Sequence, residues 1–324
     1  MRIRRSAIAL TLVLALPAAG ALYQTLSVRR DGARFPAAGL LVDVGGRRLH
    51  LVCIGEGRPA VIFETSAFSS AVSFPAARAE IAARTRVCSY DRMGTGWSDP
   101  GPAVISIGLL AGDLERLLER AVMPPPYIIE SASMGGLVAE LFARRHPERV
   151  AGLVFVDAGH STALEYAAKR VTPTMTAAAA LLPAAARLGL LRLIDPLGLR
   201  RQSADAAEAI WRIYRAAPMA TVSGVVRGLP ISLQEFRDAA PLAGDVPMTV
   251  LTAETTEGLI PGAYAAEAPI LARDWRAMHQ QLARRSSHGT WRLVAGSNHL
   301  IGNSQPHAVA AAVLEMLDRV RTRE

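Results

Sequence analysis

The stretch YIIESASMGG at residues 127–136 constrains this chain more than any other. It opens with the apolar residues of a buried strand and passes through a cluster of small residues. Leu137, Val138, Leu141 and Phe142 then recur at helical spacing until His146-Pro147 ends the run. A strand that turns on small residues straight into a helix pushes the side chain at the turn, here Ser133, out of the sheet. The backbone N–H of the next residue, Met134, is aimed into the same space. Such a turn is usually written G-x-S-x-G. Here it reads Ser131-Ala132-Ser133-Met134-Gly135, with serine in place of the first glycine, and serine is still small enough for a close approach of strand and helix. A plain helix N-cap, with Ser131 or Ser133 accepting backbone N–H bonds, predicts the same local residues. The neighbouring segments have to decide between the two.

Those segments alternate. LLVDV and RRLHLVC flank Gly45-Gly46 as a hairpin, and AVIFE at residues 60–64 reads as a buried parallel strand followed by the small-residue loop 65–70. A helix is expected at 75–83, a strand at RVCSY, and a packing helix at 107–121 with Leu110, Leu114, Leu117 and Leu118 on one face. GLVFVD, at 152–157, is the next strand. Strands and helices alternating at this spacing predict a doubly wound, mostly parallel sheet that binds ligands beyond the carboxyl ends of its strands. Ser133, Asp157 and the loop after AVIFE all fall at that edge.

From His160 to Gly244 the alternation stops. The segment is rich in alanine and leucine, with a capping-box pattern at Asp205 and Glu208, and predicts a helical cap over the ligand edge. Core-packing helices account for the same composition, and bilayer contact is the weaker reading because Arg187, Arg192, Arg200 and Arg201 form no basic stripe. Strands resume at PMTVLT (247–252) and TWRLV (290–294), with a helix at 274–284 between them. Ser297-Asn298-His299 and a last helix from Pro306, with Val309, Val313, Met316, Leu317 and Val320 inward, complete the chain. The expected organisation is therefore an N-terminal segment 1–34, a core in two parts, 35–160 and 245–324, and a cap at 161–244.

The charge belongs mainly to the N-terminal segment, where six arginines against Asp31 supply +5 of the formal +8. The rest of the chain has no basic, aromatic-studded face to read a nucleic acid, so no nucleic-acid partner is expected. Arg2, Arg4 and Arg5 precede an apolar run at residues 7–23 that is about the minimum length for spanning a bilayer. An uncleaved membrane anchor and a secretory signal cleaved near Ala19-Gly20-Ala21 both fit, and both place the globular part outside the cytoplasm. The two cysteines, Cys53 and Cys88, each end an apparent strand; they read as buried thiols or as one disulfide. No metal-ligand spacing occurs.

A serine hydroxyl becomes a nucleophile only when a base takes its proton, and histidine is the usual base. Among seven histidines, His299 lies in a loop after the last strand and downstream of Ser133. His160 lies near the expected mouth of the site and could line it, His146 ends a helix and His307 begins one. The acid that orients the base must end a strand on the same edge, which leaves Asp157, Glu257 and Glu254. Two backbone N–H donors must face the reacting oxygen; Met134 supplies one and the loop after AVIFE, at Ala67, the other.

With these residues in place the chain resembles the α/β-hydrolase superfamily, in the branch with an N-terminal hydrophobic segment. The motifs GGRRLHLVCIGEGRPAVIFET, TRVCSYDRMGTGWSDPGP, YIIESASMGGLVAELFARRHPERVAGLVFVDAGH and VAGSNHLIGNSQP carry the similarity, in the family's order. The resemblance implies Ser133 as nucleophile, His299 as base and Ala67 and Met134 as oxyanion donors. It favours Asp157 as the acid, because Thr256 occupies the position that most relatives use. It also implies a sheet order that sets the strand ending in Cys53 beside the one holding Cys88. Three family glycines are replaced, by Ser66, Ser131 and Asn298; serine or asparagine can preserve a positive φ at modest cost, and each adds atoms close to the reacting centre. The functional expectation is a cofactor-independent serine esterase or lipase acting on apolar esters. The alternatives are a hydrolase of thioester, lactone or carbon–carbon bonds on the same residues, or a catalytically impaired binding protein. Oligomeric state is left open.

Overall fold

The computed structural model describes residues 2–202, 206–257 and 268–323, with the side chains of residues 2–14 outside the description. The core is an eight-stranded sheet. Its strands are β1 (Leu40–Asp43), β2 (Arg48–Ile54), β3 (Ala60–Glu64), β4 (Val87–Tyr90), β5 (Tyr127–Ala132), β6 (Val150–Val156), β7 (Met248–Ala253) and β8 (Gly289–Val294). They stand in the order β1-β2-β4-β3-β5-β6-β7-β8. The β1–β2 and β2–β4 pairs are antiparallel and all others parallel. β3, β4 and β5 are buried along their whole length, because helices cover both faces of the parallel sheet and no polar alternation is required.

The N-terminal helix α1 (Arg2–Arg34) precedes the sheet. α2 (Pro75–Ala82), α3 (Ile107–Arg120) and α4 (Gly135–Arg145) are interleaved with its first strands. The expected inner face of α3 is met: Leu110, Leu114, Leu117 and Leu118 are all buried, and Ser106 caps the helix by accepting the Leu109 N–H at 3.1 Å. These residues share one apolar layer with α4, and α2 belongs to the opposite layer.

Between β6 and β7 lie α5 (Ser161–Ala168), α6 (Pro173–Arg187), α7 (Leu190–Ile194), α8 (Leu199–Gln202), α9 (Ala206–Ile213) and α10 (Ala216–Asp238). This is the expected helical insertion; Asp205 of the capping pattern lies outside the described residues. α11 (Ala268–Ala283), α12 (Ile301–Ser304) and α13 (Pro306–Arg321) close the chain. Val309, Val313, Met316, Leu317 and Val320 of α13 are buried over the same sheet face as α2.

The pairing of the two cysteines was open in the residues alone. Cys53 and Cys88 stand opposite each other in the antiparallel β2–β4 register and are joined in a disulfide. α1 packs against α6 and α9. At Gly20 the fit is so close that a Cβ would lie 2.5 Å from the Leu188 carbonyl oxygen. Among the described residues no helix is long and apolar enough to cross a membrane. The side chains of 7–14, the first part of the apolar run, are outside that description.

Candidate active site

The junction of β5 and α4 takes the form its small residues allow. Ser133 has φ 51°, a left-handed conformation that costs a non-glycine residue about 1–3 kcal/mol unless its surroundings hold it. Here its carbonyl accepts the N–H groups of Gly136 at 3.0 Å and Gly159 at 2.7 Å. A Cβ at Gly135 would sit 2.1 Å from the Glu64 carbonyl oxygen, and one at Gly136 2.3 Å from that of Gly159. Only glycine lets α4 come this close to the end of β3 and the loop after β6.

Three loops bring together Ser133, His299 and Asp157. The Ser133 hydroxyl lies 2.9 Å from His299 Nε2, and His299 Nδ1 lies 2.6 Å from Asp157 Oδ2. With the proton on Nδ1 donated to the carboxylate, Nε2 is left as the acceptor for the serine hydroxyl. Asp157, at the tip of β6, also has a positive φ of 44°. Its Oδ1 accepts the Ala253 N–H and the Trp275 indole N–H, both at 3.0 Å, so both carboxylate oxygens are held. The other two candidate acids are placed elsewhere. Glu254 is exposed and accepts the Gly296 N–H at 2.7 Å, while exposed Glu257 offers His299 only its backbone carbonyl, 3.0 Å from the His299 N–H.

A second line of hydrogen bonds stands behind the carboxylate. The Trp291 indole donates to Thr252 Oγ1 at 2.8 Å, Thr252 lies 2.8 Å from His279 Nδ1, and His279 Nε2 lies 2.9 Å from the Ala158 carbonyl. The carbonyl requires a proton on Nε2, so Nδ1 accepts from the Thr252 hydroxyl. Burial lowers the pKa of His279, which favours the neutral ring and adds no charge beside Asp157. His160 departs from expectation. It is fully buried, neither ring nitrogen has a partner among the described residues, and burial, helped by His279 and Arg285, lowers its pKa to about 2. It lies beneath the start of α5 as a neutral core residue and does not line the mouth. His307 is exposed and bonded to Glu80 at 2.8 Å.

The loop after β3 is held by Arg92, whose guanidinium donates to the carbonyls of Thr65 and Ser66 at 2.6 Å each. It is ion-paired with buried Glu64, which also accepts the Tyr90 hydroxyl. With those carbonyls occupied, the N–H groups of Ala67 and Met134 have no acceptor among the described residues. The three replaced glycines require no unusual backbone: Ser66, Ser131 and Asn298 all lie outside the positive-φ region. The Asn298 side chain accepts the Leu300 N–H at 3.1 Å, Ser66 bonds Ser69 at 2.6 Å, and the Ser131 hydroxyl is buried with no partner among the described residues.

A small cavity beside Ser133 and His299 is lined by Ser66, Phe74, Glu130 and Ile301. Glu130 is buried, and one of its carboxylate oxygens has no partner among the described residues. Burial, with Glu64 adding, pushes its pKa well above the ordinary carboxyl value, favouring the protonated form. Sequence reasoning missed Glu130, Arg92 and Trp275. A glutamate within an apolar strand was a readable signal for the first, and nothing in the spacing pointed to Trp275. Among the described residues no group of three or more His, Cys, Asp or Glu side chains is arranged to hold a metal ion.

A mostly parallel sheet of this order, with a serine on a strained strand–helix turn at its carboxyl edge, defines a class. The family model for the alpha/beta hydrolase fold matches residues 59–228, just over half of the sequence, and the chain belongs to that family. Similar solved structures include an esterase from Thermogutta terrifontis, 21% identical with TM-score 0.61, covering 86% of this chain and 97% of that one. They also include potato (Solanum tuberosum) epoxide hydrolase, 18% identical with TM-score 0.64, covering 86% and 98%. The enol-lactonase of Burkholderia xenovorans is 19% identical with TM-score 0.57, covering 86% and 100%. At these identities the likeness is one of fold. Among curated proteins, the uncharacterized YqjL of Bacillus subtilis is 23% identical over 263 residues, 81% of this chain and 85% of that one. An uncharacterized Schizosaccharomyces pombe protein is 43% identical over 75 residues, and the match spans only 14% of its length.

Proposed function

We propose that the protein is a serine hydrolase of carboxylic esters that works through an acyl-enzyme on Ser133. The observation that carries this reading is the continuous line from Asp157 through His299 to Ser133, with separations of 2.6 and 2.9 Å. Ser133 Oγ attacks the ester carbonyl carbon as its proton passes to His299 Nε2, and Asp157 steadies the resulting imidazolium. The oxyanion of the tetrahedral intermediate takes the unoccupied N–H groups of Ala67 and Met134. His299 returns the proton to the departing alcohol. Water then repeats the sequence on the acyl-enzyme and releases the acid. A hydroxyl nucleophile facing two amides suits carbonyl chemistry, and two of the similar folds are named an esterase and an enol-lactonase. The helices between residues 161 and 244 serve in this reading as a cap that shelters an apolar substrate. The N-terminal segment exports the protein and attaches it to a membrane.

A fluorophosphonate probe on the full chain tests the reading. We expect labelling of the wild type and none of Ser133→Ala, followed by turnover of p-nitrophenyl esters. Absence of labelling in folded protein would overturn it in favour of a binding protein. Labelling without ester turnover would move the substrate to another bond.

A further inference from the structure

Over its described side chains, helix α1 turns polar groups onto the cap and leaves large apolar side chains exposed beside Thr25, Arg29 and Arg30. The face it packs on the cap is polar: Gln24, Ser27 and Asp31 are at most 7% exposed. Gln24 donates to the Tyr214 carbonyl at 2.8 Å and accepts from Arg192 at 3.2 Å, and Asp31 pairs with Arg192 at 2.7 Å. The sides it leaves open carry Leu22 and Leu26, 61% and 55% exposed. α7 buries Leu191 and Arg192 and leaves Leu193 and Ile194 60% and 70% exposed. The two elements adjoin, since a Cβ at Gly189, just before α7, would lie 3.1 Å from the Tyr23 ring of α1.

A water-facing helix turns its apolar stripe inward, because apolar surface left in water forgoes the free energy of its burial. Two packed elements that bury an ion pair and expose large aliphatic side chains are therefore matched to an apolar medium. The charges around the patch fit the same medium. Arg29 and Arg30 on α1, and Arg187, Arg200 and Arg201 on the cap, are exposed, a basic rim of the kind that anionic headgroups attract. Of the four cap arginines that formed no stripe in the sequence, Arg192 is internal and the other three belong to this rim. The apolar run at 7–23 lies on α1 itself and leads into the patch.

We propose that the face formed by α1 and α7 seats the cap in the headgroup–acyl boundary of an anionic lipid bilayer. The inference deepens the membrane attachment proposed above, and it places the cap, and not only the N-terminal run, against lipid. An apolar ester dissolved in the bilayer then meets the cap directly.

The test uses the full chain in phosphatidylcholine–phosphatidylglycerol vesicles. Both native cysteines are in a disulfide, so Ile194→Cys takes an NBD label selectively, and Leu293→Cys on β8, outside the proposed face, serves as the control. We expect the label at position 194 to be quenched severalfold more strongly than the control by spin-labelled acyl chains, and less by aqueous iodide. Equal quenching at the two positions in protein that sediments with vesicles would overturn the seating of the cap while leaving attachment intact. Protein that stays in the supernatant would overturn both. Cross-linking between two Ile194→Cys chains without lipid quenching would assign the face to a second copy and overturn the proposal. Fluorophosphonate labelling of Ser133 in the same vesicles reads the catalytic proposal separately.

Discussion

Asp157 carries two loads at once. One carboxylate oxygen meets His299 and the other is held by the Ala253 amide and the Trp275 indole, so its removal disturbs both the tautomer and the orientation of the imidazole. Asp157→Asn is expected to lower kcat by a factor on the order of 10⁴, the usual cost of the wrong tautomer. Glu257→Gln is expected to leave kcat within about twofold, as an exposed change away from such features usually does. Steady-state ester hydrolysis by the two variants checks the assignment. His160 belongs to this scale for a different reason. Its folded pKa of about 2 lies below its ordinary value of 6.5, so in that window the unfolded chain binds a proton that the folded chain refuses. Stability is therefore full above the unfolded value and falls as pH drops below it, by up to about 1.4 kcal/mol per pH unit from this residue. His279, also lowered by burial, acts in the same direction. In urea unfolding at pH 7.5, 6 and 5, His160→Leu should show a shallower decline than wild type, and an unchanged slope would refute the argument.

At the scale of elements, those with strong periodicity were legible because their signal is local. The inward faces of α3 and α13 and the turn from β5 into α4 could be read from neighbours a few residues apart. The pairing of β2 with β4 could not. It joins residues 35 positions apart, and the residues alone left both free thiols and a disulfide open until a family resemblance suggested the strand order. A cross-link closing a loop of this length stabilises by about 3–4 kcal/mol in the chain-entropy account. Cys53→Ser with Cys88→Ser should lower the unfolding free energy by about that amount, and reductant should bring the wild type to the same midpoint. A smaller loss would show that the unfolded chain is already compact.

The molecule as a whole is organised around two interfaces of the cap, one toward the sheet edge that carries Ser133 and one toward α1. The second is held by the buried Asp31–Arg192 pair. Breaking such a pair from one side costs about 3–5 kcal/mol, whereas replacing both partners by apolar groups is often neutral. Asp31→Asn should therefore loosen α1 from the cap and speed proteolysis between α6 and α9 severalfold. Asp31→Leu with Arg192→Met should restore resistance. If the single variant is nicked no faster than wild type, the pair does not hold the interface.

The sequence by itself determined the order of elements, the turn that presents Ser133 and the helical insertion, because each is written in side chains close together along the chain. The tertiary structure decided which acid meets the imidazole, what His160 does, and where the N-terminal helix rests. Asp157 and His299 are 142 residues apart and Asp31 and Arg192 are 161 apart. Contacts at that separation follow from how whole layers pack, and no local periodicity encodes them.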